Sequence, residues 1–274
     1  MTRYATLIYG NSHDLYRQAS MLAVSLLAFA PPALEIVMLT DHPERLSWLA
    51  ADVSLRTISV QELDKWRGPA PFSMRQKIEA AIATLPASEA LVLLDADVLA
   101  SRPLDEMIQR LSSGQRFMHK REFQLATSTR AGNRRLWQQV EGKNFDGWQF
   151  HAADCMWNSG VLAVRSGDGA MLQEALSLYD ALAAAGVRHF ATEQLVVGVV
   201  LERAGAVHEA RQWFTHYWGN KVLFTAEIDR RLRLMQGRGM TPLAAAAEFR
   251  ANPIRLPAEV RPGKLEKLRR WLMG

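Results

Sequence analysis

The stretch LVLLDADVLA, residues 91–100, runs four apolar residues straight into Asp95 and Asp97, and the apolar character resumes at Val98. An ionised carboxylate near a protein interior needs a cation, a proton or a metal to offset its lost hydration. Hard oxygen ligands select Mg²⁺ or Mn²⁺, and such ions are commonly shared with substrate phosphates rather than caged by protein alone. Asp95 and Asp97 are therefore expected to clasp a divalent cation that a diphosphate completes. If the backbone stays extended there, positions i and i+2 project to one side. The competing reading is a pair of strand-end aspartates serving the helix that follows Pro103.

Rigid elements must present such a pair, and alternating periodicities supply them. Residues 5–9, 34–40 and 54–60 read as strands. A helix opens at Asp14 and runs to about Phe29, with Leu15, Ala19, Leu22, Leu26 and Phe29 at helical spacing. A second helix spans 73–85, with Met74, Ile78, Ala81, Ile82 and Leu85 as its stripe. The run LVLLD lacks alternation, as expected of a strand buried on both faces of a parallel sheet. Strand, helix and strand in turn predict an α/β sheet, which binds ligands beyond the carboxyl ends of its strands.

Further on, 104–112 reads as a helix, 115–119 and 158–165 as strands, and 169–185 and 192–203 as helices. Residues 120–157 read as irregular, rich in Arg, Gln and Trp. A loop that long is expected to be a lid or binding loop. Residues 206–223 read as short strand and loop, and the last fifty as helical. The expected division is one domain over 1–223 and a helical extension over 224–274.

The chain has 274 residues, 49% hydrophobic and 22% charged, which is ordinary for a globular protein with a sizeable core. Its net charge of +5 concentrates in Arg121–Lys143 and beyond Arg230. That suits an anionic partner: a phosphate-bearing substrate or an acidic membrane surface. No RNP motif, zinc-finger spacing or basic–aromatic interleave is present, so nucleic acid is not expected. The apolar stretch Met21–Pro32 is too short to span a bilayer. Cys155 is the single cysteine, which excludes an internal disulfide and fits a reducing compartment. With no secretory leader pattern at MTRYATLIYG, the expected location is cytoplasmic.

Four segments in order, LVLLDADV, WNSGVLAVR, ATEQLVVG and THYWGNK, resemble nucleotide-sugar glycosyltransferases of the GT-A fold. The family 8 type, with lipopolysaccharide sugar transferases and glycogenin, is the most similar, over residues 5–222. The resemblance implies a mixed α/β sheet flanked by helices. It makes Asp95 and Asp97 ligands of the Mn²⁺ or Mg²⁺ that bridges the donor diphosphate, with Asp95 also near the ribose. His216 becomes a further ligand, and Lys221 lies near the leaving phosphates. The family pattern is His-x-x-Gly-x-x-Lys-Pro-Trp; here Gly219 keeps its spacing, Lys221 comes one residue early and Pro-Trp is absent.

By the same resemblance Asn158, Ser159 and Gly160 shape the donor-sugar pocket, although these residues also suit an ordinary turn. Glu193 and Gln194 fall where the family has an Asp-Gln pair facing the reacting sugar. On the residues alone, Thr192 and Glu193 equally suit a helix start. Lys77, with Arg75 as its rival, is the basic residue expected to reach the donor. Tyr9, Gly10, Asn11, Thr40 and Asp41 are placed by fold analogy against the base and ribose. The implied activity is retaining transfer of a hexose from a UDP-sugar to a saccharide or glycolipid acceptor. The alternatives are a phosphatase of the haloacid dehalogenase type, or an inactive sugar-nucleotide-binding or peripheral membrane protein.

In the terminal PGKLEKLRRWLMG, Leu265, Leu268, Trp271 and Leu272 share one helical face, and Lys264, Lys267, Arg269 and Arg270 ring the other. Basic amphipathic helices bind anionic membrane surfaces, which would suit a lipid-linked acceptor. Docking of this helix on its own domain is the alternative.

Overall fold

The computed structural model describes residues 1–32, 34–68 and 74–259. Strand β1 (Thr2–Ile8) leads into α1 (His13–Phe29), whose first turn is capped by the Ser12 hydroxyl accepting from Leu15 N. Then come β2 (Glu35–Thr40), β3 (Ser54–Thr57), α2 (Val60–Arg67) and α3 (Arg75–Thr84). The entirely buried β4 (Ala90–Leu94) precedes β5 (Val98–Ala100), α4 (Asp105–Ser112) and the long β6 (Arg116–Gln124). Helix α5 (Ala131–Val140) and a small hairpin of β7 (Asn144–Phe145) and β8 (Trp148–Gln149) lead to β9 (Cys155–Arg165). The remainder is α6 (Gly169–Ala184), α7 (Thr192–Ala204), β10 (Val207–Glu209), β11 (Phe214–His216), α8 (Lys221–Gly237) and α9 (Pro242–Ala251).

Among the described residues, seven strands form one sheet in the order β10-β6-β9-β4-β1-β2-β3. β4, β1, β2 and β3 run parallel to one another, whereas β9 is antiparallel to both β4 and β6. The non-alternating strands have cores on both faces, as a sheet covered on both sides requires. Val92, Leu94, Val161 and Ala163 pack in one core with α1, α4, α8 and α9. Leu91, Leu93, Leu162 and Val164 pack in the other with α2, α3, α5, α6 and α7. No described helix is long and apolar enough to cross a membrane.

The stretch expected to be irregular, 120–157, is largely ordered into elements. β6 continues to Gln124, α5 occupies the middle, and β9 starts at Cys155. The outer half of β6 is exposed and charged, so it lacks the alternation that marks a half-buried strand. Helix α2 replaces the end of the strand expected over 54–60. It buries only Leu63 and Trp66, too few to announce a period. The amphipathic tail from Arg261 onward lies outside the described residues.

Beyond residue 223 the chain is cored together with the sheet. Phe224, Ile228, Leu232 and Met235 of α8 and Ala245, Ala246 and Phe249 of α9 are buried in the α1-side core. Phe249 meets Phe29 edge-on at 6.2 Å, and Trp48 Nε1 donates to Met240 O at 2.9 Å. Deleting a fully buried phenylalanine side chain costs about 3–5 kcal/mol. Phe249→Ala is expected to lower the unfolding free energy by that amount in urea titrations of the full chain. A loss below ~1 kcal/mol would mean that α9 is not part of the sheet's core.

Candidate functional site

β4 ends at Leu94, and Asp95 N donates to Gly160 O at 3.0 Å, extending the β4–β9 ladder by one bond. The chain then bends: Asp95-Ala96-Asp97 is a turn closed by Val98 N donating to Asp95 O at 3.2 Å. The extended backbone assumed from the sequence is thus replaced by a turn, because β5 must swing away to pair antiparallel with β11. The register of that pairing sets Val98 opposite His216. As a result ligand atoms of Asp95, Asp97 and His216 all lie within 4.8 Å of one another.

Asp97 is 7% exposed. Its Oδ1 lies 3.2 Å from His216 Nε2, its Oδ2 lies 3.0 Å from Lys221 Nζ, and its carbonyl accepts from Tyr217 N. Burial alone would push its pKa up. The His216 ring and the Lys221 ammonium outweigh burial and hold the carboxyl far below the usual range, so it is ionised at neutral pH.

Asn158 settles the tautomer of His216. Its Oδ1 accepts from the Gly160 N–H at 3.0 Å, and a backbone N–H can only donate. His216 Nδ1, 2.9 Å from the same oxygen, must therefore carry a proton. Nε2 then offers a lone pair or a second proton to Asp97. An imidazole lone pair and a carboxylate oxygen 3.2 Å apart are two acceptors facing each other. Only a cation can sit between them: a proton, which makes the ring an imidazolium, or a metal ion. Two carboxylates and one imidazole fit Mn²⁺ or Mg²⁺. Gly160 is required for the packing: a Cβ there would lie 2.6 Å from His216 Cε1 and closer still to Nδ1.

A second charged cluster abuts the first through Asp95. Lys77 Nζ, reaching in from α3, lies 2.5 Å from Asp95 Oδ1 and donates to Ser159 O at 2.7 Å and Ser159 Oγ at 3.1 Å. The Ser159 hydroxyl donates to Glu193 Oε2 at 2.8 Å. Glu193 is 4% exposed and its Oε1 has no partner among the described residues. Burial would drive the Lys77 ammonium down, but Asp95 and Glu193 outweigh it and its pKa is raised. Burial raises the pKa of Glu193, which Lys77 only partly offsets. Helix α7 can come close enough to present Glu193 because Gly198 lies against β9, where a Cβ would meet Trp157 Cδ1 at 2.8 Å. Arg75, the rival of Lys77, faces elsewhere. It forks onto Asp180 at 2.7 and 2.9 Å and donates to Glu79 and Trp66 O. Gln194, next on α7, is partly exposed.

The residues placed against the base and ribose gather at the carboxyl ends of β1 and β2. Gly10, at φ +86°, donates its N–H to Asp41 Oδ2 at 2.9 Å, and the Tyr16 hydroxyl donates to Oδ1 at 2.9 Å. Asp41 thus braces the two strand ends. Thr40 is fully buried, its hydroxyl engaged by Tyr16 and the His42 N–H. Asn11 accepts from Arg45, whose guanidinium also lies 5.0 Å from the Tyr16 ring centroid. Tyr9 is partly exposed at the same edge. Tyr16 and Arg45 carry no motif and were invisible in the sequence.

On the other side of β4, a cavity of about 1020 Å³ opens beside His216, Asn158, Gly219 and Lys221. Two of its residues, His119 and Glu122 of β6, were missed in the sequence. The His119 ring stands edge-on to His216 at 5.2 Å, and burial together with nearby cations pushes its pKa down to about 3. Glu122 accepts from Asn158 Nδ2 at 3.4 Å. The run HKRE between the apolar pair Phe117-Met118 and Phe123 was the available signal.

No protein-family model matches this chain, and no curated protein matches it in sequence. Solved structures do match it in shape. One is the crystal structure of mouse xyloside xylosyltransferase 1 in its apo form, with a TM-score of 0.50 and 15% identity over 76% of this chain and 85% of that one. Likeness at such low identity concerns the fold alone. The largely parallel mixed sheet flanked by helices, matched to that enzyme, gives this chain the GT-A glycosyltransferase fold.

Proposed function

We propose that the chain is a metal-dependent glycosyltransferase that moves a hexose from a UDP-sugar to a saccharide hydroxyl. The observation that carries the reading is the meeting of His216 Nε2 and Asp97 Oδ1 at 3.2 Å beside Asp95, where a cation is needed. Asp95, Asp97 and His216 would hold Mn²⁺ or Mg²⁺, which when bound supplies Lewis-acid stabilisation to a diphosphate leaving group. UDP, rather than another nucleotide, a hexose and retention of configuration come with the family 8 resemblance.

The chain's own residues divide the remaining work. Lys221, half exposed and 3.0 Å from Asp97, places a second positive charge where the leaving phosphates gather negative charge. Asn158 fixes His216 in the tautomer that presents Nε2. Lys77 sits between Asp95 and Glu193 and offsets part of the burial cost of Glu193 under the donor sugar. The Oε1 of Glu193, without a partner among the described residues, is a buried acceptor suited to a sugar hydroxyl, and Gln194 lies one position along the same helix. Gly10, Asn11 and Asp41 line the strand ends on the β1–β2 side, where the base and ribose would sit. A haloacid dehalogenase-type phosphatase rests on the hydrophobic-Asp-x-Asp run alone. Here that run lies inside a GT-A sheet, and a histidine completes its cluster.

Manganese and UDP together are expected to raise the melting temperature more than either alone, and Asp97→Asn to abolish the joint effect. Stabilisation by both ligands without hydrolysis of any UDP-hexose would instead support the non-catalytic reading. Outer partners of metal-bound histidines typically contribute ~10–100-fold to metal affinity. Asn158→Ala should therefore weaken manganese binding by about 10–100-fold in calorimetry, and an unchanged affinity would remove Asn158 from the metal site. Hydrogen bonds to charged groups contribute about 1.5–3 kcal/mol. Glu193→Gln, which keeps the Ser159 contact, should slow UDP-hexose hydrolysis by at least ~10-fold. Unchanged turnover would take Glu193 out of the mechanism.

A further inference from the structure

The cavity beside the metal site is lined by more cations than the donor chemistry uses. Lys120, Arg121, Arg130 and Arg211 join Lys221 on its wall, against the carboxylates of Glu122 and Glu259. Arg121 is 3.5 Å from Glu202, and Arg211 is 2.5 Å from Glu209. Arg130 is exposed and makes no ion pair among the described residues. The wall also contains the start of α8, seventeen residues long, with no acid in its first turn and no side-chain hydrogen bond from its cap, Asn220. Helix starts of this kind attract anions.

An anion from the chain itself already sits there. Glu259 lines the cavity, and the chain just before it is tied down by Asn220 Nδ2 donating to Pro257 O at 2.7 Å. Glu259 lies against Gly219, where an added Cβ would lie 2.9 Å from Glu259 Cγ, and Lys120 Nζ donates to its carboxylate at 2.9 Å. Independently, His119 on the same wall is 6% exposed, and its Nδ1 has no partner among the described residues. Trp218 stands at the rim, 68% exposed, as a flat apolar surface of the kind that packs on sugar rings.

We propose that this cavity binds the acceptor, and that the acceptor is a saccharide carrying a phosphate group, which takes the place Glu259 now holds. The proposal rests on the transferase reading above for the word acceptor, but not for the anion site itself. Topology separates it from the nucleotide: Gly10 and Asp41 close β1 and β2 on one side of β4, whereas His119–Phe123 and Asn158 belong to β6 and β9 on the other. The metal cluster lies between them, as transfer from one substrate to the other requires. Arg130 and Lys120 grip the phosphate, and Trp218 packs on its sugar.

The test is calorimetric titration of the metal-free full chain with inorganic phosphate, glucose 6-phosphate and methyl glucoside. Glucose 6-phosphate is expected to bind at least ~10-fold more tightly than methyl glucoside. Arg130→Gln, at an exposed position, should weaken it by ~10-fold or more. Glu259→Gln should have the opposite sign and tighten it, because it removes the internal competitor. Equal affinity for the neutral sugar, or no change with Arg130→Gln, overturns the proposal. So does competition by UDP with manganese, which would make these cations part of the donor site. Binding to phosphatidylglycerol vesicles without binding of the soluble sugar phosphate would also overturn it and assign the surface to a membrane. If wild-type protein fails to bind UDP with manganese, the transferase reading fails, and the sugar-phosphate titration still reads the anion site separately.

Discussion

Everything at the carboxyl end of this sheet follows from one close approach: an imidazole nitrogen and a carboxylate oxygen, 3.2 Å apart, with a proton or metal needed between them. Asp97 is too buried to shed its charge into water, and the Asn158 amide has already committed the other ring nitrogen. Removing one partner of a buried ion pair typically costs about 3–5 kcal/mol, since it strands the other charge. The cluster is therefore a strong constraint on which residues the surrounding chain can carry.

The fold meets that constraint with few devices. β4 and β9 are buried on both faces and form a stiff base, and the chain bends immediately beyond it. Two three-residue strands, β5 and β11, then bring His216 to Asp97 from more than a hundred residues away in sequence. Glycine does the rest at two positions: Gly160 leaves room for the His216 ring, and Gly198 lets α7 close on Trp157 so that Glu193 reaches Ser159. Lys77 links the halves, touching Asp95 on one side and Ser159 on the other.

Much of this was legible in the chain because the strongest signals are local. An apolar run ending in Asp95 and Asp97 marks both a central strand and its chemistry, and the α1 and α3 stripes mark the layers. What was hidden is non-local or polar. Strands as short as β5 and β11 carry no period, so only the resemblance linked His216 to Asp97. The outer half of β6 has charged residues where a strand would show alternation, because it faces a cavity instead of a core. Asp41 was legible as a strand-end residue, but its bracing of Gly10 and Tyr16 depends on contacts 31 and 25 residues apart. Choosing Lys77 over Arg75 needed the helix's rotation, which the Asp180 fork on Arg75 fixes.

The most direct measurement is the anomalous scattering of manganese in crystals grown with Mn²⁺ and UDP. The account predicts a peak bonded to Asp97 and to His216 Nε2, with the UDP phosphates completing its coordination. A peak elsewhere, or UDP bound with no metal between these two side chains, would contradict it.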